Sequence, residues 1–323
     1  MKPMALDESL LESHRGFRDD RSGIGEEFLQ PTVGSGRTVA VLSRPQGASL
    51  PVGRVICHSF GLEQVKLHRL EVVAARALAA AGFPTLRFFV QGYGDSETRG
   101  QALEVSWHLD GTMDAISLMR DIGGVTVVGA LGVRFGALVA ALAAERAELP
   151  LLGLWQPFLT GDQFLKDFAQ TALFETMLDQ AVGQESQKSA GFMEGFGPEG
   201  WRDLNGLRLS RRALDDIAAI DLRRDLRALA GSALVVGISR SGSVPREAAE
   251  VAAHLLAIGV QCQQEAVQDE AAPMLGQHQF RKIGDGEVER DIFHDAYLAV
   301  AEATVNWALE HYRRAVPIAE TGS

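Results

Sequence analysis

The sequence predicts an α/β fold with a mostly parallel central sheet and helices on both of its faces. Strand-like and helix-like segments alternate along most of the 323 residues, at the spacing of right-handed crossovers between parallel strands. One such unit, residues 123–145, joins a β-branched strand pattern to an Ala/Leu-rich helix through a glycine-flanked turn. The alternation stops between residues 158 and 209, which predicts a helical cap inserted over the sheet.

The individual elements follow from hydrophobic periodicity and from the turn-forming residues between segments. Strands are predicted over residues 27–30, 38–43, 54–57, 85–90, 125–128, 151–155, 233–238 and 260–267. Helices are predicted over residues 70–81, 102–121, from 136 onward, 163–182, 211–229, 244–256 and 300–315. These elements divide the chain into a flexible, charged N-terminal arm (1–24), a core in two parts (25–157 and 210–323) and the inserted cap (158–209).

Composition and net charge argue against several classes of binding partner. The net charge of -11 argues against a nucleic-acid surface and against binding to anionic membranes. No apolar run is long enough to span a bilayer, and the N-terminus lacks the pattern of an export signal. The two cysteines, Cys57 and Cys262, provide neither a disulfide framework nor a zinc-binding spacing. We therefore expect a cytoplasmic protein with a small-molecule ligand and no metal or cofactor. Homo-oligomerisation stays open.

The turn over residues 132–136 is the part of the sequence that indicates function most clearly. Its sequence, Gly-Val-Arg-Phe-Gly, has the glycine spacing of the nucleophile elbow Gly-x-Ser-x-Gly found in α/β-hydrolases. Glycines are needed there because the strand and helix backbones nearly touch, and the central residue is thrust into the pocket above the sheet. That central residue is Arg134. The pattern therefore predicts a hydrolase scaffold that lacks its nucleophile.

A second turn, residues 58–61, follows the predicted strand over 54–57. It contains His58 and Ser59 and reads His-Ser-Phe-Gly, at the place where hydrolases carry a turn of HGFG type. The backbone N–H groups of Phe60 and Phe135 are the predicted donors of an oxyanion hole.

The other members of a Ser-His-Asp triad are also altered. Hydrolases place an acid after the strand over 233–238, roughly as Gly-x-x-Asp-x-x-Val-Pro, but Ser241 occupies that position here. His278 is the candidate base, and His58 is the alternative. Without the usual nucleophile and acid, triad chemistry cannot run as it does in a serine hydrolase. Any catalysis has to use an unrecognised nucleophile or a directly activated water.

The resemblance to known proteins extends beyond the turns. Residues 56–97, from ICHSFG to GYGDSE, resemble the N-terminal half of α/β-hydrolases, and the superfamily resemblance covers residues 27–315. Two further segments, GLWQPFLTGDQFLKDF and GLRLSRRALDDIAAIDL, resemble the hydrolases associated with the exosortase A and PEP-CTERM system. The elbow of that group can read GLRLGA, to which GVRFGA at residues 132–137 is similar. The resemblance implies the α/β-hydrolase fold and chemistry on an ester, thioester or acyl group.

Two functional hypotheses follow, a hydrolase with non-standard catalysis and a degenerate hydrolase that binds an anionic or acyl molecule. The second rests on Arg134, because a buried guanidinium requires an anion and a helix N-terminus disfavours a cation. The anion is either a ligand group or a protein carboxylate such as Asp95 or Glu97. A ligand-free interaction scaffold is the third alternative. A dinucleotide site is disfavoured, since the glycines at 129, 132 and 136 depart from the G-x-G-x-x-G spacing.

Overall fold

The computed structural model describes residues 15–98, 102–181, 196–197, 200–204, 207–229, 231–268, 279–283, 287–291 and 295–316. The strands are β1 Gly16–Asp19, β2 Ile24–Leu29, β3 Thr32–Val33, β4 Gly36–Arg37, β5 Ala40–Pro45, β6 Val52–Cys57, β7 Thr85–Phe88, β8 Ala102–Leu103, β9 Val127–Val133, β10 Leu151–Trp155, β11 Trp201–Leu204, β12 Leu207–Ser210, β13 Ser232–Ser239, β14 Gln261–Gln268, β15 Gln279–Ile283 and β16 Glu287–Asp291. The helices are α1 Leu62–Ala80, α2 Val105–Ile122, α3 Phe135–Arg146, α4 Gly161–Ala181, α5 Arg211–Ala218, α6 Leu222–Asp225, α7 Arg246–Ala257 and α8 Asp295–Ala315.

Within the described residues, nine strands form the central sheet in the order β1-β2-β5-β7-β6-β9-β10-β13-β14. The strands from β7 to β14 in this order are parallel, whereas β1, β2 and β5 pair antiparallel at one end. Strand β9 lies near the middle, between β6 and β10. The predicted α/β architecture is therefore confirmed, and the carboxyl ends of β6, β9, β10 and β13 meet at one edge of the sheet.

Helices cover both faces of this sheet. Helices α1 and α8 pack on one face, around a core that includes Leu70, Trp155 and Trp307. Helices α2, α3 and α7 pack on the other face, where Phe135 and Leu138 are fully buried. The fold thus has three layers, as an α/β protein with a parallel sheet requires. Among the helices that the structure describes, none combines the length and apolar character needed to cross a membrane.

Two glycines fix the junction between β9 and α3. A Cβ atom at Gly132 would lie 2.1 Å from the carbonyl oxygen of Gly136, and one at Gly136 would lie 2.1 Å from the carbonyl oxygen of Cys57. Both distances fall far inside van der Waals contact, and the atoms met are backbone. The prediction that these two glycines mark the closest strand–helix approach is confirmed. This approach brings the start of α3 against the end of β6.

Some predicted boundaries were wrong. Residues 211–229 were expected to form one helix, but α5 ends at Ala218 and α6 begins at Leu222. Between them Asp221 is extended and accepts a hydrogen bond from the Arg223 N–H, which caps α6 and interrupts the helix. Residues Gly16–Asp19 form the edge strand β1 rather than part of a flexible arm.

The segment predicted to be a cap contains α4 and the β11–β12 hairpin. Strand β12 also pairs in parallel with Ala102–Leu103, residues that were expected to be the start of a helix. The first turns of α4 pack beside the start of α3, where Phe164 is fully buried with its ring 5.4 Å from that of Phe135. The division of the chain into a core and a separate cap stays a prediction.

One buried residue of β6 has an unusual environment. Arg54 is fully buried, and among the residues that the structure describes none of its three guanidinium nitrogens has a hydrogen-bond partner. Its guanidinium carbon lies 5.3 Å from the ring centroid of Phe83 and 5.6 Å from that of Trp307. Burial lowers the pKa of Arg54 to about 9. Cation–π contacts are worth about 0.5–2 kcal/mol, which offsets only part of the cost of desolvating this cation.

We therefore expect Arg54→Met to raise the free energy of unfolding by about 1–3 kcal/mol. Methionine keeps most of the apolar stem and removes a buried charge that lacks an acceptor among the described residues. Urea unfolding of the variant and the wild type at pH 7 measures the difference. A loss of more than about 1 kcal/mol on substitution would show that Arg54 contributes attraction beyond its two aromatic contacts.

Candidate functional site

The turn over residues 132–136, called the elbow turn from here on, holds Arg134 in a strained conformation. Arg134 has φ 54° and ψ -111°, in a region that non-glycine residues rarely adopt. Its N–H donates to the carbonyl oxygen of Trp155, at the end of the neighbouring strand β10. The residue lies between the last residue of β9 and the first residue of α3. The structure therefore places Arg134 where the sequence pattern predicted it, at the strand–helix junction and away from the outer surface.

The Arg134 side chain is bound by two carboxylates. Its Nε donates to Glu63 Oε1 at 2.9 Å, and one Nη lies 2.7 Å from the same oxygen. The same Nη also pairs with Asp167 Oδ2 on α4. Burial lowers the pKa of Arg134, but attraction to Glu63 and then Asp167 outweighs this effect, so the pKa is raised. The guanidinium also lies over the ring of Phe158, with 5.2 Å between its central carbon and the centroid.

These partners are not the ones that the sequence suggested. Glu97 instead binds the Arg37 side chain at 2.8 Å, and Asp95 is exposed. Glu63 was missed because it stands in a polar stretch ahead of the predicted helix 70–81, whereas α1 begins already at Leu62. The signal available was the requirement of Arg134 for an anion, combined with a Glu two residues after the His-Ser-Phe-Gly turn.

Ser59 supports Glu63 rather than facing a ligand. Its hydroxyl donates to Glu63 Oε2 at 2.6 Å, and Ser59 is fully buried. Both carboxylate oxygens of Glu63 are therefore bound, one by Ser59 and one by Arg134. The result is a connected chain of side chains from the turn after β6, through α1 and the elbow turn, to Asp167 on α4.

Both ring nitrogens of His58, the alternative base, form hydrogen bonds with the backbone. Its Nε2 accepts the Val90 N–H at 3.1 Å, which leaves the ring proton on Nδ1, 2.8 Å from the carbonyl oxygen of Ser59. The side chain is buried, and burial lowers its pKa. A histidine whose two nitrogens are bound in this way has no free position to take a proton from water or substrate.

A second buried histidine lies behind the same turn. The Gly61 N–H donates to the hydroxyl of Tyr93 at 2.9 Å, and that hydroxyl lies 3.1 Å from His108 Nε2. The rings of His58 and His108 are 5.1 Å apart. Burial, and then repulsion from His58, hold the pKa of His108 well below its usual range. The two histidines therefore belong to the support of the turn.

Because burial lowers the pKa values of His58 and His108, we expect the protein to lose stability at mildly acidic pH. Their pKa values are lowered in the folded protein, so below the unfolded pKa of about 6.5 the unfolded state binds more protons. The free energy of unfolding falls by about 1.4 kcal/mol per histidine for each pH unit in this range. Urea unfolding at pH 7.5, 6.5 and 5.5 should give His108→Gln a shallower slope than the wild type. Equal slopes would rule out a neutral His108 in the fold.

The predicted oxyanion donors lie beside the elbow turn but are buried. The rings of Phe60 and Phe135 pack edge to face with centroids 5.3 Å apart, and both residues are almost fully buried. Over the described part of the chain, neither backbone N–H donates to a protein acceptor. Neither residue lines the cavity at this edge of the sheet.

In the described part of the chain, the predicted acid does not join the elbow turn. Ser241 follows β13 and is exposed, and its hydroxyl bonds Ser243 Oγ at 2.6 Å. Ser241 does not line the cavity, although its neighbour Arg240 does. His278 lies outside the residues that the structure describes. The described residues thus bring together Arg134, the His-Ser-Phe-Gly turn and Phe135, while Ser241 stands apart from them.

A cavity of about 320 Å³ opens at the carboxyl edge of the sheet, beside the elbow turn. Its wall carries three basic and three acidic side chains: Lys66, Arg134, Arg240, Glu63, Asp167 and Glu247. Phe158 and Ile238 add apolar surface. Gln156, another residue of the wall, also has a positive φ, 47°, so two strained non-glycine residues border the same cavity. Strain of this kind concentrates at binding and catalytic sites.

The described residues contain no group of three or more His, Cys, Asp or Glu placed to hold a metal ion. Cys57 at the end of β6 is buried, with its Sγ 3.6 Å from the Thr112 hydroxyl. Burial raises the pKa of the Cys57 thiol to about 12. The thiol is therefore protonated at neutral pH and is a poor nucleophile.

Comparison with solved structures identifies the fold. Ferulic acid-bound Est1E from Butyrivibrio proteoclasticus is similar over 88% of this chain and 99% of its own, with 17% identity and a TM-score of 0.58. The Pyrococcus furiosus esterase Pf2001 is similar over 91% of this chain and 94% of its own, with 9% identity and a TM-score of 0.56. The chain has the α/β-hydrolase fold.

A third similar structure is XC6422 from Xanthomonas campestris, described as an α/β serine hydrolase without a lid. It is 16% identical, covers 91% of this chain and 96% of its own, and has a TM-score of 0.52. No family model and no curated protein matches the chain. At these identities the similarity establishes the fold alone, because one fold hosts many different chemistries.

Proposed function

We propose that this protein binds a small anionic or acyl compound in the cavity beside the elbow turn and does not hydrolyse it by serine chemistry. The observation that carries the proposal is Arg134. It stands at the position of the nucleophile in the α/β-hydrolase fold, in the strained backbone conformation of that turn, and its guanidinium is bound by Glu63 and Asp167. A guanidinium cannot form an acyl-enzyme under physiological conditions, because it stays protonated.

The rest of the site supports binding over turnover. Triad catalysis needs a nucleophile, a base within hydrogen-bond reach and an acid that orients the base. His58 is held by Val90 and Ser59, and Ser241 is exposed outside the cavity wall. What the α/β-hydrolase fold retains here is the cavity at the carboxyl edge of its sheet, the usual place for a ligand.

The cavity wall indicates the class of ligand. A volume of about 320 Å³ is at the small end of the range for ligand pockets. Basic groups from Lys66, Arg134 and Arg240 suit a carboxylate or phosphate, and Phe158 offers an apolar face. Ferulic acid occupies Est1E, a protein of the same fold. We also propose a relationship to the hydrolases associated with the exosortase A and PEP-CTERM system, which the elbow sequence GVRFGA resembles.

A thermal-shift screen of short-chain and aromatic carboxylates, acyl thioesters and phosphates tests the proposal. A ligand at about 100 times its dissociation constant adds roughly 2.7 kcal/mol of stability, which raises the melting temperature of a chain this size by several degrees. Each stabilising compound is then incubated with the protein and followed by chromatography, and we expect it to remain intact.

A pair of matched variants locates the binding. Arg240→Gln removes a basic group from the cavity wall and should reduce the shift. Arg212→Gln removes an exposed basic group that pairs with Asp216 outside the cavity, and should leave the shift unchanged. Failure of every compound class to stabilise the protein would refute ligand binding. Protein-dependent hydrolysis of a bound ester or thioester would instead support the non-standard hydrolase, with His278 as the first base to replace.

A further inference from the structure

The two carboxylates that bind Arg134 differ in their exposure to solvent. The Glu63 side chain is 9% exposed and the Asp167 side chain is 44% exposed. An ion pair with a partly hydrated partner contributes little to stability, because the partner exchanges protein contacts for water at small cost. A buried partner is costly to remove. The Asp167 side chain can therefore leave the guanidinium at a lower cost than the Glu63 side chain can.

Glu63 is fixed in place. It lies in the first turn of α1, where Arg134 binds one carboxylate oxygen and the buried Ser59 hydroxyl binds the other. Release of Glu63 would leave a buried serine hydroxyl and a buried carboxylate without partners. Glu63 thus acts as the permanent counter-ion of Arg134.

Asp167 can leave without movement of its helix. The start of α4 is held by Gln163, whose side-chain oxygen accepts the N–H groups of Leu159 and Thr160 and whose own N–H donates to the Thr160 hydroxyl. The next residue, Phe164, is fully buried in the aromatic cluster beside the elbow turn. With the helix anchored in this way, rotation of the Asp167 side chain into solvent is sufficient to free an N–H group of the guanidinium.

Charge favours an exchange of one anion for another. One cation and two carboxylates leave the group of Arg134, Glu63 and Asp167 with a net negative charge. An anionic ligand that simply added to this group would meet repulsion from Asp167. A ligand that replaced Asp167 would keep the charge of the group unchanged and would pair with a guanidinium that is already oriented.

We infer that Asp167 is an exchangeable internal anion, which occupies the position on Arg134 that the carboxylate of a ligand takes when it binds. This inference rests on the proposed function and assigns the ligand class to a carboxylate small enough for the cavity. Asp167 then sets the selectivity of the site, since a neutral compound cannot replace it on the guanidinium.

Calorimetric titration with benzoate and with benzamide, its uncharged counterpart of similar shape, tests the inference on the full-length protein. Asp167→Asn removes the competing charge, and we expect it to bind benzoate at least about tenfold more tightly than the wild type, or about 1.4 kcal/mol. Its affinity for benzamide should change by less than about twofold. Asp162→Asn is the matched control, because Asp162 lies on the same helix, pairs with Lys166 and is absent from the cavity wall. It should change neither affinity.

The outcomes separate the two proposals. Equal benzoate affinity in the wild type and Asp167→Asn would overturn the exchange while leaving ligand binding intact. Equal gains for benzoate and benzamide would also overturn it, since they would indicate a steric effect. No binding of either probe to either protein would refute the exchange for carboxylates of this size, and the broader screen then decides whether the proposed function fails with it. Asp167→Ala repeats the test if the Asn variant folds poorly by circular dichroism.

Discussion

Arg134→Ser should leave the protein without efficient esterase activity, even though it restores the side chain that the elbow sequence of a serine hydrolase carries. A serine nucleophile needs a base that is held by an acid, and in a working triad the loss of the acid lowers the rate about 10⁴-fold. Here the sequence predicts Ser241 at the place of the acid, and both ring nitrogens of His58 hydrogen-bond to the backbone. We expect kcat/KM for p-nitrophenyl acetate to lie at least about 10⁴-fold below that of a triad esterase.

The control for this experiment is Arg134→Met, which removes the same ion pairs and supplies no hydroxyl. Any hydrolysis by the serine variant in excess of the methionine variant is due to the new hydroxyl. A robust esterase created by Arg134→Ser alone would show that another carboxylate, such as Asp162 or one of the two that bind Arg134, already orients a base.

Arg134→Met should also destabilise the fold by about 3–5 kcal/mol. Removal of one partner from a buried ion pair leaves the other charge without compensation, and Glu63 is 9% exposed. Adding Glu63→Gln should recover most of the loss, because an amide carries no charge and its oxygen can still accept the Ser59 hydroxyl. Urea unfolding of the wild type, the two single variants and the double variant measures this coupling.

An exposed ion pair provides the comparison. Arg37 and Glu97 form a pair whose side chains are 67% and 49% exposed, and Arg37→Met should cost less than about 1 kcal/mol. If Arg134→Met costs no more than Arg37→Met, the Arg134 cluster is not a buried ion-pair network and the argument for Glu63 as its permanent counter-ion fails.

The elements that position the site could be predicted from the sequence because their causes are local. β-Branched and apolar runs gave the strands, and the strand over 151–155 has the predicted bounds. Gly132 and Gly136 were identifiable because only glycine fits where the backbones of β9, α3 and β6 approach. The need of Arg134 for an anion followed from the cost of burying a charge.

The identity of that anion could not be predicted, because it depends on packing between distant elements. Glu63 and Asp167 stand 71 and 33 residues from Arg134 in the sequence, and only the three-dimensional fold places α1 and α4 on either side of the elbow turn. Asp95 and Glu97 lie nearer to Arg134 in the sequence than Glu63 but farther than Asp167, and they were wrong as partners. Likewise, the role of Ser59 depends on a hydroxyl hydrogen bond that no sequence pattern encodes.

The claim that this hydrolase fold lacks a serine-type nucleophile is tested most directly with a fluorophosphonate probe on the wild-type protein. Such a probe reacts covalently with an activated serine, and intact-mass measurement detects the adduct. We expect no adduct under conditions that fully label a triad esterase, and no difference between the wild type and Arg134→Met. A stoichiometric adduct on the wild type would show that the protein has an activated serine, and the labelled residue would be the nucleophile.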